Sequence, residues 1–322
     1  MLRSMHERPA VLFGSVFSAF LALSWIVAVG PAFEAQRDSR ALANSTSLTA
    51  QQQRGLQVYV SEGCPACHTQ QVRPLRLDEV WGRASVTQDY ARLKPAAWWQ
   101  GTPGILGSER TGPDLSNIGQ RQPSSDWHLI HLYNPRAVSP WSVMPAFPWL
   151  FQVVGQPPID SRVVTLPPAF AASQGKAVAT PRVLDLIAYL TSLRQTPLTG
   201  AGDSVSPIPS GASEGARQYA ANCAACHQAT GEGVTATFPP LKGDPAVNDS
   251  DPTRHIATVL YGLHGKQIGE IVYPVTMPPF GPTLSDEQVA AIVNFERASW
   301  GNHGAPITSA HVRQVRNAGV QP

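Results

Sequence analysis

Two cysteines and a histidine recur at one spacing twice in the chain, as Cys64, Cys67 and His68 and again as Cys223, Cys226 and His227. Together the two Cys-x-x-Cys-His copies use all four cysteines among 322 residues. Thiols three positions apart can each add to a vinyl group of one porphyrin, while the adjacent histidine reaches the iron, so the pattern predicts two covalently attached haems c. A disulfide or a redox Cys-x-x-Cys gives no reason for histidine to follow both pairs. A zinc site would want all four cysteines together rather than one pair in each half.

What fills the sixth iron position decides between electron transfer and catalysis. Of four methionines, Met1 and Met5 lie at the start, while Met144 and Met277 each follow one Cys-x-x-Cys-His copy and each precede a proline. Thioether sulfur suits haem iron, and histidine with methionine raises the potential, as in a carrier of an oxidising chain. The expected metal ligands are therefore His68 with Met144 and His227 with Met277. His128 and His131, in DWHLIHLYNPR, could compete with Met144, and His255 and His264 have the same status beside Met277. Packing or hydrogen bonding is the expected role for all four. No serine, histidine and carboxylate constellation, phosphate loop or glutamate-bearing zinc motif appears, so no catalytic residue is expected.

Composition narrows the class. The formal charge of +2 is near balance, and with no basic run or stacked aromatic platform nothing suggests a nucleic-acid partner, so none is expected. Thirty prolines and 26 glycines point to short helices in a loop-rich fold. Residues 10–29 carry no charge, follow Arg3, His6 and Arg8 and precede Glu34, Arg37 and Asp38. That length spans a bilayer. The only tidy cleavage candidate, at residues 28–30, is followed by Pro31, which favours an uncleaved anchor over a removed signal. Basic residues before the span place everything after it outside the cytoplasm, on the side where bacteria attach haem c.

These elements must be arranged to carry the two motifs. Residues 1–33 read as cytoplasmic N-terminus and anchor, 34–47 as a short tether, 48–197 as a first haem domain, 198–213 as a Gly, Ser and Pro-rich linker, 214–301 as a second haem domain and 302–322 as an irregular tail. The domains form a degenerate repeat. Gly55 and Tyr59 precede the first motif and Gly215 and Tyr219 the second. Each domain closes with an amphipathic helix: Thr180 and Pro181 open one in which Val183, Leu186, Ile187, Tyr189, Leu190 and Leu193 recur at helical spacing. In the other, Ser285 with Gln288 fits a capping box before Val289, Ile292, Val293 and Phe295.

Both patterns resemble class I cytochrome c, where the first and last helices cross at a glycine with an aromatic beside it. That resemblance implies a mainly α fold, one transmembrane helix followed by two all-α haem domains. It also assigns Pro113 and Pro239, each two residues before a leucine, as the prolines whose carbonyls hold the proximal histidines.

The runs EGCPACHTQQVRPLR from Glu62, RTGPDLSNIG from Arg110, DWHLIHLYNPRAVSP from Asp126 and MPAFPWL from Met144 more specifically resemble the membrane-anchored mono-haem, FixO-like subunit of cbb3-type cytochrome c oxidases. The likeness covers the anchor and roughly residues 50–195. It implies Met144 as axial ligand, a haem-copper catalytic subunit as partner, and relay of electrons from a periplasmic donor such as a cytochrome c, without catalysis in this chain. The chain departs from that pattern by continuing into a second haem domain and by a loosely matching stretch at 80–107. Two readings stay open beside it: the carrier subunit of a related nitric oxide-reducing complex, and a di-haem peroxidase.

Overall fold

The computed structural model describes residues 8–38, 46–75, 77–90, 106–196, 198 and 213–322. Arg3, His6, part of the expected tether, most of the loosely matching 80–107 stretch and nearly all of the expected linker lie outside the described residues. The chain divides into two compact units, one built on the N-terminal helices and one holding both Cys-x-x-Cys-His segments.

In the first unit, helix α1 (Pro9–Ser24) passes through one π turn (Trp25–Val29) into α2 (Gly30–Asp38). Pro9 opens α1, where its missing N–H costs nothing. The widened turn falls immediately before Pro31, which has no N–H for an interior helical bond, and the Gly30 N–H bonds instead to the Trp25 carbonyl five residues back. The apolar stretch Pro9–Glu34 has 26 residues and holds an 18-residue window of mean hydropathy 2.1, none of it buried by protein. At about 1.5 Å per residue this exceeds the ~30 Å of a hydrocarbon core.

The second unit contains two hydrophobic cores of matching design. In the first, α3 (Ala50–Ser61) packs on α5 (Pro181–Ser192), with α4 (Ser125–Tyr133) alongside. The Thr49 hydroxyl and Gln52 side chain close a capping box that fixes where α3 begins. Every apolar position predicted for α5 is buried. The helices cross at Gly55, where a Cβ would lie 2.0 Å from the Asp185 carbonyl oxygen, and the Tyr59 and Tyr189 rings meet 5.6 Å apart beside the crossing. In the second core, α6 (Glu214–Asn222) crosses α8 (Asp286–Ala298) at Gly215, and Tyr219 packs between Phe295 and Trp300. Helix α7 (Thr253–Tyr261) completes that core, and the Ser285–Gln288 capping box forms. The glycine crossing expected of class I cytochrome c is thus present twice.

The fold is mainly helical, as expected, although the domains read as all-α also hold two short strand pairs: β1 (Phe151–Val154) pairs antiparallel with β2 (Lys176–Ala179), and β3 (Lys266–Ile268) with β4 (Ile271–Tyr273). Residues 302–322, expected as an irregular tail, carry α9 (Ser309–Ala318). Thr308 caps it, and Val312 and Val315, three apart on one face, bury themselves in the second core. Asp286 at the start of α8 accepts from Arg313 and Arg316, which ties the helix down. The segment between α8 and α9 is held by Arg297, buried, whose guanidinium donates to the carbonyls of Ala305, Val247 and Asp249 at 2.7–2.9 Å. A buried guanidinium needs such acceptors.

Candidate functional site

The first motif lies at the end of α3, where the chain turns through Gly63 in left-handed backbone (φ 74°) into a short 3-10 turn, Cys64–Ala66. His68 then faces the Pro113 carbonyl, with Nδ1 2.8 Å from that oxygen. A carbonyl can only accept, so Nδ1 carries the proton and the Nε2 lone pair is left for a ligand. Burial pushes the His68 pKa down, against the raising effect of the Pro113 bond, which keeps the ring neutral and able to coordinate. Gly112 lies flat under this ring: a Cβ there would meet His68 Cε1 at 2.4 Å. The second motif repeats the arrangement through a short helix, Ala224–His227, with His227 Nδ1 2.8 Å from the Pro239 carbonyl.

The strap carrying Pro113 is braced from below. Buried Asp114 accepts from the Thr69 hydroxyl at 2.6 Å and the Gln71 N–H at 2.9 Å. Asp78 gathers Arg73 and Arg110, and the hydrogen bond from Arg73 above all holds its carboxyl down to about 2, against burial. An unfolded aspartate titrates near ~3.9. Because the folded value is the lower one, this brace contributes fully above pH ~4 and is lost as pH falls towards 2. Acid unfolding followed by circular dichroism should therefore steepen in that window for the native chain and flatten for Asp78→Asn.

Beside the first motif, Cys64 and Met144 both border the first core. His131 Nε2 lies 3.2 Å from the Met144 sulfur. A thioether only accepts, so the imidazole donates through Nε2, and burial holds its pKa down to about 3. The His131 ring stacks on Trp127 at 4.5 Å and 12°. His128 turns away, its Nε2 2.9 Å from the Gln122 carbonyl. Trp141 and Val143, just before Met144, are 89% and 77% exposed.

In the second core, Cys223, Cys226, His227, Pro239 and Met277 line one cleft. His255 borders the same cleft with its Nε2 2.7 Å from Glu296, and His264 bonds to the Thr276 hydroxyl on the surface. Of the four candidate competitors, only His131 adjoins a methionine sulfur.

These residues fit a haem. Each motif offers two unbridged thiols and an imidazole whose free nitrogen is unpaired with protein. Burial pushes Cys64 and Cys226 up to about 12, the opposite of a reactive redox thiol. Near His68 lies Arg121, its pKa drawn down to about 10 by burial and its Nε buried without a partner. An orphan guanidinium donor suits an anionic group such as a porphyrin carboxylate. Among the described residues no three His, Cys, Asp or Glu side chains gather as a metal cage.

Arg121, Gln122 and Trp127 were not singled out by sequence. Trp127 and His131 stand four apart on a helix, a spacing that already brings side chains together; nothing in the sequence signals the other two. Gln122 and Trp127 meet partners from the second core. Trp127 Nε1 donates to the Ala225 carbonyl at 3.0 Å, between Cys223 and Cys226. Gln122 Nε2 lies 4.0 Å from Cys226 Sγ, Asp126 accepts from the Thr276 N–H at 3.4 Å, and Phe238 and Val275 pack into the first core.

Residues 3–164 match the family described as cytochrome c oxidase, mono-heme subunit/FixO. The chain belongs to the FixO family. Beyond the FixO segment, residues 212–299 match the cytochrome c family. The chain is therefore a FixO-type cytochrome c electron-transfer subunit, of the class that carries covalently bound haem c. Among curated proteins it is similar to the cytochrome c subunit of a quinone alcohol dehydrogenase from Gluconobacter oxydans, 38% identical over 33% of this chain and 22% of that one. A gluconate 2-dehydrogenase cytochrome c subunit from Pantoea cypripedii is 39% identical over 32% and 24%. Cytochrome c-552 of Thermus thermophilus is 33% identical over 34% of this chain and 88% of its own length. The chain spans less than a quarter of the two dehydrogenase subunits.

Proposed function

We propose that this chain is the di-haem c relay subunit of a membrane haem-copper oxidase of cbb3 type. The family match over residues 3–164 carries this reading. Cys64 and Cys67 would hold one haem, with His68 and Met144 as the residues offered to its iron; Cys223 and Cys226 would hold the other, with His227 and Met277. Pro113 and Pro239 fix the two proximal rings. Bound there, haem iron supplies one-electron chemistry between its ferrous and ferric states. The protein's own contribution is to keep both histidines neutral and oriented and to present the exposed Trp141 and Val143 beside Met144.

On this reading residues 48–197 and 214–301 are the two haem domains, joined by 198–213. The Pro9–Glu34 helix is an uncleaved anchor in the cytoplasmic membrane, with both haems on the periplasmic side. The second haem takes electrons from a periplasmic cytochrome c or similar donor, and the first passes them to the catalytic subunit. The dehydrogenase relatives favour a second reading for electron entry, in which a membrane dehydrogenase or a quinol supplies them.

Purification of the membrane complex through a tag on this chain tests the assignment. A co-purifying haem-copper subunit that consumes oxygen with reduced cytochrome c is the expected result. Nitric oxide turnover without oxygen turnover would move the chain to a nitric oxide-reducing complex, and peroxide turnover by the chain alone would make it an enzyme.

A further inference from the structure

Helix α4 touches both haem sites, and it does so with adjacent aromatic rings. At one end of the path, the indole N–H of Trp127 bonds to the Ala225 carbonyl, inside the loop whose cysteines flank it on both sides. At the other, the His131 imidazole lies 3.2 Å from the sulfur of Met144. Between them the two rings lie 4.5 Å apart, nearly parallel at 12°. From Ala225 to Met144 the atoms are thus in unbroken van der Waals or hydrogen-bond contact. One residue before Trp127, Asp126 accepts from Thr276, the neighbour of Met277, so the same helix is pinned to both loops of the second site.

We infer that Trp127 and His131 form the electron bridge between the two haems, coupling the second attachment loop to the sulfur ligand of the first. The inference rests on the proposed di-haem reading. One electron leaves a ferrous iron in the second site, which becomes ferric, and arrives at a ferric iron in the first, which becomes ferrous. No bond forms or breaks and no proton moves. Tunnelling probability falls steeply with every gap between atoms, and stacked π systems in contact lower the barrier without themselves being oxidised. The thioether accepts the His131 N–H with one lone pair and keeps the other for iron.

The test uses the full-length chain with its haems in detergent. Haem content per chain and the ferric methionine-to-iron absorption band examine the underlying reading, since one haem per chain would overturn both. An electron is then injected by a photoexcited dye, and its redistribution between the haems is followed optically. The native chain should show a redistribution phase that Trp127→Leu and His131→Leu lose while keeping both haems. Gln228→Ala, which removes a separate contact between the two cores at Val138, should keep it. Trp127→Phe, which retains a ring for the stack but not the N–H, should slow the phase without abolishing it. His131→Leu should also shift the absorption band of one haem only, which simple loosening of the structure would not do. Redistribution at the native rate in Trp127→Leu, with two haems bound, would overturn the bridge.

Discussion

Met144→Ala should stop most electron flow through the chain while leaving its haem attached. On the proposed ligation the thioether bonds of Cys64 and Cys67 would not depend on the sixth ligand, so haem content should be unchanged. Loss of sulfur lowers the potential of that haem. For a one-electron carrier each 59 mV is tenfold in equilibrium constant, so a fall of about 120 mV already cuts transfer onto the first haem roughly hundredfold. A redox titration of the variant reads the fall directly, and half of the ferric methionine-to-iron band should vanish with it. Met277→Ala should remove the other half and lower only the second haem. The position of His131, 3.2 Å from the Met144 sulfur, sets an instructive alternative. If the imidazole swings onto the vacant iron, the variant stays low-spin with a bis-histidine spectrum, and Met144→Ala with His131→Leu becomes high-spin. A band untouched by either methionine change would mean that sulfur binds neither iron.

Gly55→Ala should be among the most destabilising single methyl additions in the protein. The new Cβ would lie 2.0 Å from the Asp185 carbonyl oxygen and 2.7 Å from Tyr189 Cβ. Both are parts of α5 that cannot swing aside as a flexible side-chain tip would, so the helices must separate. Overpacking typically costs about 1–3 kcal/mol, and a contact this close to rigid backbone belongs at the upper end, about 3 kcal/mol. The separation would also part Tyr59 from Tyr189 and draw Arg54 away from Asp185. Gly215→Ala, facing the Ala291 carbonyl oxygen at 2.2 Å, should act the same way in the second core. Gly155→Ala is the control, because nothing lies within 4 Å of its would-be Cβ. Thermal melts of the haem-loaded chain should show a fall of roughly 10 °C for either crossing variant, at about 2–4 °C per kcal/mol for chains of this size. Gly155→Ala should leave the melt in place.

Those glycines were legible because a helix crossing leaves a local mark, a glycine with an aromatic one turn on. The same holds for α5, whose apolar residues recur at the helical period, and for the Ser285–Gln288 cap. The Cys-x-x-Cys-His motifs are legible for a chemical reason, since both thiols and the imidazole must serve one porphyrin. Helix α9 was missed because only Val312 and Val315 of its ten residues enter the core, too narrow a stripe among charged neighbours. The strand pairs were missed because strands of three or four residues carry almost no alternation. The docking of the second core on the first was beyond sequence for another reason. Phe238 and Val275 read as apolar residues of their own domain, and nothing local tells which core they enter.

The contacts of Trp127 with Ala225 and of Gln228 with Val138 are few and individually modest. Between separate proteins they would amount to a fleeting encounter. Here both partners are segments of one polypeptide, and a short connection gives a local concentration of the order of millimolar. Association then no longer depends on how much of either partner the cell makes, and the two Cys-x-x-Cys-His segments are supplied in a fixed ratio of one to one. Fusion thereby turns a collision into a property of the molecule.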